Sequence, residues 1–249
     1  MRFKQARLKI DRANKHISDL QGRILSLPDS NISTVERNPH TGTHAIKHDI
    51  GDTTAISDIA LILGDAIHNL KCALDYTWLK TIELLVPTAV NKFAKFPVYG
   101  DIDALKGALH GTIETACPEL FNLVTTEIKP YKGGNLAIWP IYKLDLRDKH
   151  RLLLPVAYYS SIEGIKVENE RGESETGGTW GTMEPPPWFV SFPSGWNVKD
   201  KGKLSATILV NDRTLADYHI SADVLPIYSQ YVLNIVEVFE RFLEAQRGS

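Results

Sequence analysis

Residues 55–86, AISDIALILGDAIHNLKCALDYTWLKTIELLV, decide the fold. The run ends at Pro87 and contains no proline; Asp52, Thr53 and Ser57 are available to cap its start, and only Gly64 counts against a helix. It is long enough for about eight turns. At about 100° per residue, one stripe collects Leu63, Ile67, Leu70, Leu74, Trp78, Thr81 and Leu85 and faces a core. The opposite stripe collects Asp65, His68, Asn69, Cys72, Asp75 and Tyr76. A solvated face would carry Glu, Lys, Arg and Gln in i,i+4 pairs. Two readings follow: polar groups satisfied inside a bundle, or an acid, an imidazole and an amide that form half of a site completed by another segment.

Upstream, residues 3–27 place Ala6, Ile10, Ala13, Ile17, Leu20 and Ile24 at helical spacing, with Lys, Arg and Asp on the other side. This amphipathic helix should pack on the central one. At the other end, a helix from Ser221 or Ala222 to Arg247 should turn Val224, Ile227, Tyr231, Ile235, Val238, Phe239 and Phe242 inward. The first and last helices then clasp the central one. Between the first two helices, residues 33–50 read as one or two short strands turning at Pro39-His40-Thr41-Gly42. His40, His44 and His48 recur every fourth residue, a metal-site spacing only on a helix. Pro39, Gly42 and the β-formers Thr41 and Thr43 favour strands, where residues four apart stand about 13 Å from each other, too far to share an ion.

Downstream, FAKFPVYG (93–100) is irregular and pinned by Phe93 and Phe96. Asp101 or Asp103 caps a short helix over about 102–109, and Pro118 starts another that runs to about Ile128. PYKGG (130–134) lacks the strand and helix context of a phosphate loop and reads as a turn. Residues 135–146, with Leu136, Ile138, Ile141, Leu144 and Leu146, read as a helix despite Pro140. It ends at a dense cluster, Arg147-Asp148-Lys149-His150-Arg151. From Leu152 the period changes, and 152–159, 162–169, 188–192 and 204–210 read as antiparallel strands. Residues 170–187, ERGESETGGTWGTMEPPP, have the composition of a mobile loop. Trp180, Trp188 and Trp196 lie near it, and sheet packing is the commoner use of a tryptophan. The expected architecture is α+β: one domain with a mainly α-helical bundle, 1–151 and 221–247, and an antiparallel β insertion, 152–220.

A chain of 249 residues with 43% hydrophobic content can bury a real core. Its formal charge of -2 gives no global basic field, so strong non-specific nucleic-acid binding is not expected, while a local basic patch stays open. Cys72 and Cys117 form neither a disulfide framework nor a CxxC pair, which fits a reducing, cytoplasmic location. Met1 to Leu20 has no apolar signal core, and no run approaches about 18 apolar residues, so no membrane span is expected.

The cluster 147–151 has an ordinary use as a helix end whose cations complement the dipole. Its functional reading makes Lys149, His150 and Arg151 the cationic half of a site whose anionic and polar half is Asp65, His68, Asn69 and Asp75. That pairing suits a phosphodiester, because Arg and Lys bind phosphate while a histidine moves protons. The expected catalytic set is His68, His150, Lys149, Arg151 and Asp65, and the expected substrate-binding set is Asn69, Lys71, Asp75, Arg147 and Asp148. No metal and no cofactor is expected.

GDAIHNLKCALD (64–75), KFPVYG (95–100) and IKPYKGGNLAIWPIYKLDLRDKHRLLL (128–154) together resemble an uncharacterised bacterial protein family. In that family a GD-x-x-HNLR-x-ALDH helix is followed by an FP segment and an LDKHR motif. The chain departs from the pattern at Lys71, where Arg is usual, and at Tyr76, where His is usual, which weakens any mechanism needing two histidines on the central helix. More distantly, a bundle with KHR-like motifs is similar to the HEPN superfamily. The resemblance implies a metal-independent ribonuclease or RNA-associated protein of a bacterial defence or toxin system, and a homodimer. The usual Arg-x4-6-His signature of that superfamily is matched only by Arg213 and His219. Two other readings stand beside it. One is a non-enzymatic module that binds a protein partner and uses the polar residues to lock its helices. The other is a metal-dependent helical-bundle hydrolase using His68, Asp65, Asp75 and His150, without an ExxH or HExxH spacing.

Overall fold

A computed structural model describes residues 3–26, 31–50, 54–151, 156–177, 180–182, 188–210, 215, 218 and 220–246. The chain is α+β and divides into two compact units: Met1–Asp19 with Leu61–Leu154 and Asp223–Ser249, and Leu20–Ala60 with Pro155–Ala222. The first is helical and the second mostly β.

Helices α1 (Lys4–Ser26) and α2 (Thr54–Leu85) match the expected periodicities closely. All six apolar positions of α1 are buried, as are Leu63, Ile67, Leu70, Leu74, Trp78 and Thr81 of α2, while Leu85 is half-buried. Thr77 and Thr81 enter the core because each hydroxyl donates to the carbonyl four residues back, Ala73 and Thr77 respectively, at 2.8 Å.

Four further helices precede the β segment: α3 (Ile102–Leu109), α4 (Ile113–Ala116), α5 (Pro118–Asn122) and α6 (Ile138–Arg151). Asp101 caps α3 by accepting from the Ala104 N–H at 2.7 Å, as its position predicts. Helix α5 runs into a π-helical turn, Leu123–Ile128, ended by Lys129 at φ 53°. Helix α6 starts three residues later than expected, because Asn135 accepts the N–H groups of Ala137 and Ile138 at 3.0 and 3.2 Å and fixes the first turn there. Pro140 falls within that first turn, where its missing N–H costs nothing. The helix then continues to Arg151, so the 147–151 cluster rides on α6 instead of following it.

Helix α7 (Leu225–Ala245) closes the helical unit, with Ile235 and Phe239 of the expected inward set buried and Val238 and Phe242 half-buried. Leu225, Tyr228, Ser229, Val232, Ile235, Val236, Phe239 and Leu243 are buried, whereas Ile227 and Tyr231 are exposed. Val224, the first member of the expected stripe, belongs to a separate 3-10 turn, Ala222–Val224. Helices α1 and α7 are tied by Arg7 Nη2 donating to Glu240 Oε2 at 2.7 Å and Ser229 Oγ donating to Asn14 Oδ1 at 2.6 Å. Trp78 of α2, Phe239 of α7 and Phe96 meet edge to face with centroids 6.1–6.4 Å apart.

In the β unit, β1 (Asn31–Arg37) and β2 (His44–Ile50) form the expected hairpin, turned at Gly42 with φ 68°. The other strands are β3 (Val156–Glu163), β4 (Lys166–Asn169), β5 (Ser174–Thr176), β6 (Trp180–Thr182), β7 (Trp188–Phe192), β8 (Trp196–Asp200) and β9 (Lys203–Val210). They form three antiparallel three-stranded sheets ordered β1-β2-β7, β6-β3-β9 and β5-β4-β8. The ladder from His44↔Phe192 to His48↔Trp188 places the hairpin in the β unit and not, as expected, with bundle residues 1–151. Strands β5 and β6 lie inside the stretch expected to be a loop. Ile46, Ile162, Ile165 and Val167 form a small core joined by Val190, Phe192, Trp196 and Val198. Among the described residues, no helix is long and apolar enough to cross a membrane.

Candidate functional site

The polar face of α2 divides into two clusters. The first forms with α6. Asp145 is 5% exposed, so its carboxylate needs partners, and it has two. Its Oδ1 lies 2.7 Å from His68 Nδ1, and its Oδ2 accepts from Lys149 Nζ at 2.7 Å. His68 nevertheless keeps 41% of its side chain in solvent. With Nδ1–H donating to the carboxylate, Nε2 is the basic nitrogen, and Cys72 Sγ lies 3.4 Å from it. Burial pushes the Cys72 thiol up; Asp75 and Asp145 add to this, while Lys9 and Lys149 oppose it. Cys72 therefore meets the imidazole as an S–H donor at neutral pH.

Gly64 allows α6 to approach α2. A Cβ built there would come 2.5 Å from Asp148 Oδ1 and 2.9 Å from Asp148 Cγ, so the residue that counts against the helix is where the second helix crosses. Asp148 is held above the usual carboxylate range by burial first, then by the charges of Asp145 and Asp65, with His68 and Lys149 opposing. The structure thus brings His68 and Lys149 onto Asp145, a residue the sequence did not single out, and sets Asp148 within reach of the charges of Asp145 and Asp65.

The second cluster begins one turn further along α2 and is closed. Lys71 is 4% exposed and ion-paired with Asp75, whose Oδ1 also accepts the backbone N–H of Phe96 at 2.8 Å. Expected among the substrate-binding residues, Lys71 and Asp75 instead tie the 93–100 segment to α2. Asn69 is buried with both ends of its amide engaged: Nδ2 donates to the Asp65 carbonyl at 2.8 Å, and Oδ1 accepts from Lys9 Nζ of α1 at 3.2 Å. Arg147 is half-buried on α6. His150 and Arg151 occupy the last turn of α6, and their side chains lie outside the described residues, as do Arg213 and His219. Among the described residues, no three His, Cys, Asp or Glu side chains are grouped to hold a metal ion; the side chain of His150, a member of the metal-hydrolase set, lies outside them.

Comparison of the chain with protein-family models, with curated proteins and with solved structures finds no match.

Proposed function

We propose that the helical unit carries a HEPN-like, metal-independent acid–base centre that cleaves RNA. The observation that carries this reading is the Asp145–His68 pair with Lys149 on the second carboxylate oxygen and the imidazole open to solvent. A buried carboxylate on Nδ1 fixes the ring and its tautomer and leaves Nε2 as a base. In RNA the base takes the proton of a 2′-hydroxyl. The 2′-oxygen bonds to the adjacent phosphorus, the bond to the 5′-oxygen breaks, and water protonates the departing oxygen, leaving a 2′,3′-cyclic phosphate. Lys149 faces the charge that builds on the phosphorane.

The test is cleavage of a panel of structured and single-stranded RNAs by purified protein with and without EDTA, against His68→Ala and His150→Ala. Cleavage that survives EDTA and disappears in folded His68→Ala supports the reading. A wild type that cuts nothing, with variants that lose stability as when a buried hydrogen-bonded partner is removed, makes the polar clusters structural and the protein an interaction module.

A further inference from the structure

Among the described side chains, Asp145 of α6 touches His68 and Lys149, and Asp148 of α6 feels the charges of Asp145 and of Asp65 on α2. A phosphodiester seated against His68 has more acidic than basic groups near it there, and needs cations from another direction. Helix α1 supplies them. An open cavity of about 300 Å³ lies between α1 and α2, lined by Gln5, Leu8, Lys9, Arg12, Asn69 and Tyr76. Two of its six lining residues are cationic and none is acidic.

Lys9 donates to Asn69, the residue next to His68, and its charge acts on the Cys72 thiol that faces His68 Nε2. It therefore joins α1 to α2 at the residue next to His68, close enough for its charge to reach Cys72. Arg12 is exposed one turn further along the same face of α1. Tyr76, 40% exposed, stands about 10 Å along α2 from Asn69 and offers a ring. Leu8, 56% exposed, supplies an apolar wall. The volume lies at the small end of ligand cavities and is too small for a duplex.

We infer that this cavity holds one nucleotide of a single-stranded RNA, with its phosphate on Lys9 and Arg12 and its base against Tyr76, next to the phosphodiester presented to His68. The inference rests on the RNA reading of the same centre. It also explains how a chain of net charge -2 addresses a polyanion: through a local cationic pocket with an aromatic platform.

Binding is read separately from cleavage by fluorescence anisotropy of a labelled 2′-O-methyl RNA, which has no 2′-hydroxyl to react. The arms are the single strand, its duplex and free AMP as competitor. The proteins are the wild type, Lys9→Gln/Arg12→Gln, Tyr76→Ala, Tyr76→Phe and His68→Ala, with melting temperatures recorded for each. Tyr76→Ala should weaken single-strand binding about tenfold and Tyr76→Phe should leave it nearly unchanged, since stacking needs the ring and not the hydroxyl. The double variant should lower the slope of log affinity against log salt by about 0.7 for each phosphate that the protein no longer neutralises. His68→Ala should still bind. Equal affinities in all variants, or equal losses for the duplex, overturn the cavity assignment even if the wild type cleaves RNA. AMP binding that the variants abolish while strand binding is unchanged overturns the strand and makes the cavity a mononucleotide site. Strand binding that the variants weaken, without any cleavage, supports the cavity and overturns the ribonuclease reading.

Discussion

Lys71 and Asp75 share a face of α2 with His68 and Cys72, only a turn away, and the two pairs are built to opposite ends. Lys71 is buried and ion-paired with Asp75, whose same Oδ1 also accepts a backbone N–H of the 93–100 segment. His68 is anchored at Nδ1 by buried Asp145, has Cys72 Sγ 3.4 Å from Nε2, and keeps 41% of its side chain in solvent. Both clusters are polar, and both join α2 to a neighbouring segment. A buried ion pair returns its hydrogen bonds to the fold, whereas a partly exposed imidazole held at Nε2 only by a weak S–H contact keeps capacity for a further partner.

The largest effect should come from breaking the closed cluster. Asp75→Ala leaves the Lys71 ammonium buried and unpaired and the Phe96 N–H without its acceptor. Urea denaturation should show a loss of about 3–5 kcal/mol. Replacing both partners, Lys71→Met with Asp75→Leu, should recover much of that loss. A small effect of Asp75→Ala would erase the contrast between the clusters.

The crossing at Gly64 supplies a second test. Gly64→Ala gains about 1 kcal/mol of helix propensity but drives a methyl into Asp148. It should stabilise only where Asp148 has been shortened to Ala. A double-mutant cycle in thermal unfolding should give a coupling of about 1 kcal/mol; additivity would mean that α6 does not depend on the bare Cα.

Asp148 sharpens the same point through pH. Its raised pKa means that the folded state holds the proton more tightly than the unfolded chain, so its stabilising contribution is full below the ordinary carboxylate range and lost as pH rises through the raised value. Asp148→Asn should therefore raise stability slightly near neutral pH, by well under about 1 kcal/mol after solvent screening, and the difference should fade in acid. The smallest effect concerns Cys72. Its thiol, pushed up by burial, should react with iodoacetamide more slowly than a free thiol near neutral pH, and more slowly still in Lys9→Gln, which removes an opposing charge. Faster alkylation in that variant would contradict the placement of Lys9.

Long helices are legible in the sequence because a 3.6-residue stripe repeated over many turns averages out local exceptions, as in α1 and α2. Helix α7 is placed by its pattern, and Ile235 and Phe239 are buried as read, but the apolar Ile227 and Tyr231 are exposed, so an apolar residue near the helix start is not a guide to its inward face. Strands β5 and β6 have three residues each, too few for an alternating pattern to emerge from a polar stretch. In the candidate site, His68 and Lys149 can be read from their unusual neighbours. Asp145 cannot: between Leu144 and Leu146 nothing local marks it as buried, and its imidazole partner is 77 residues away in the chain. Lys9 and Arg12 are hidden for the opposite reason, since cations on the outer face of an amphipathic helix look like ordinary solvation.

The most direct measurement is the rate at which wild type and Asp145→Asn cleave single-stranded RNA in EDTA. The substitution keeps an oxygen near His68 Nδ1 and removes the charge that orients and supports the imidazole. The rate should fall by about 10²-fold or more while the protein stays folded. Equal rates in the two proteins, or no cleavage by folded wild type, would contradict the assignment of His68 and Asp145 as the acid–base centre.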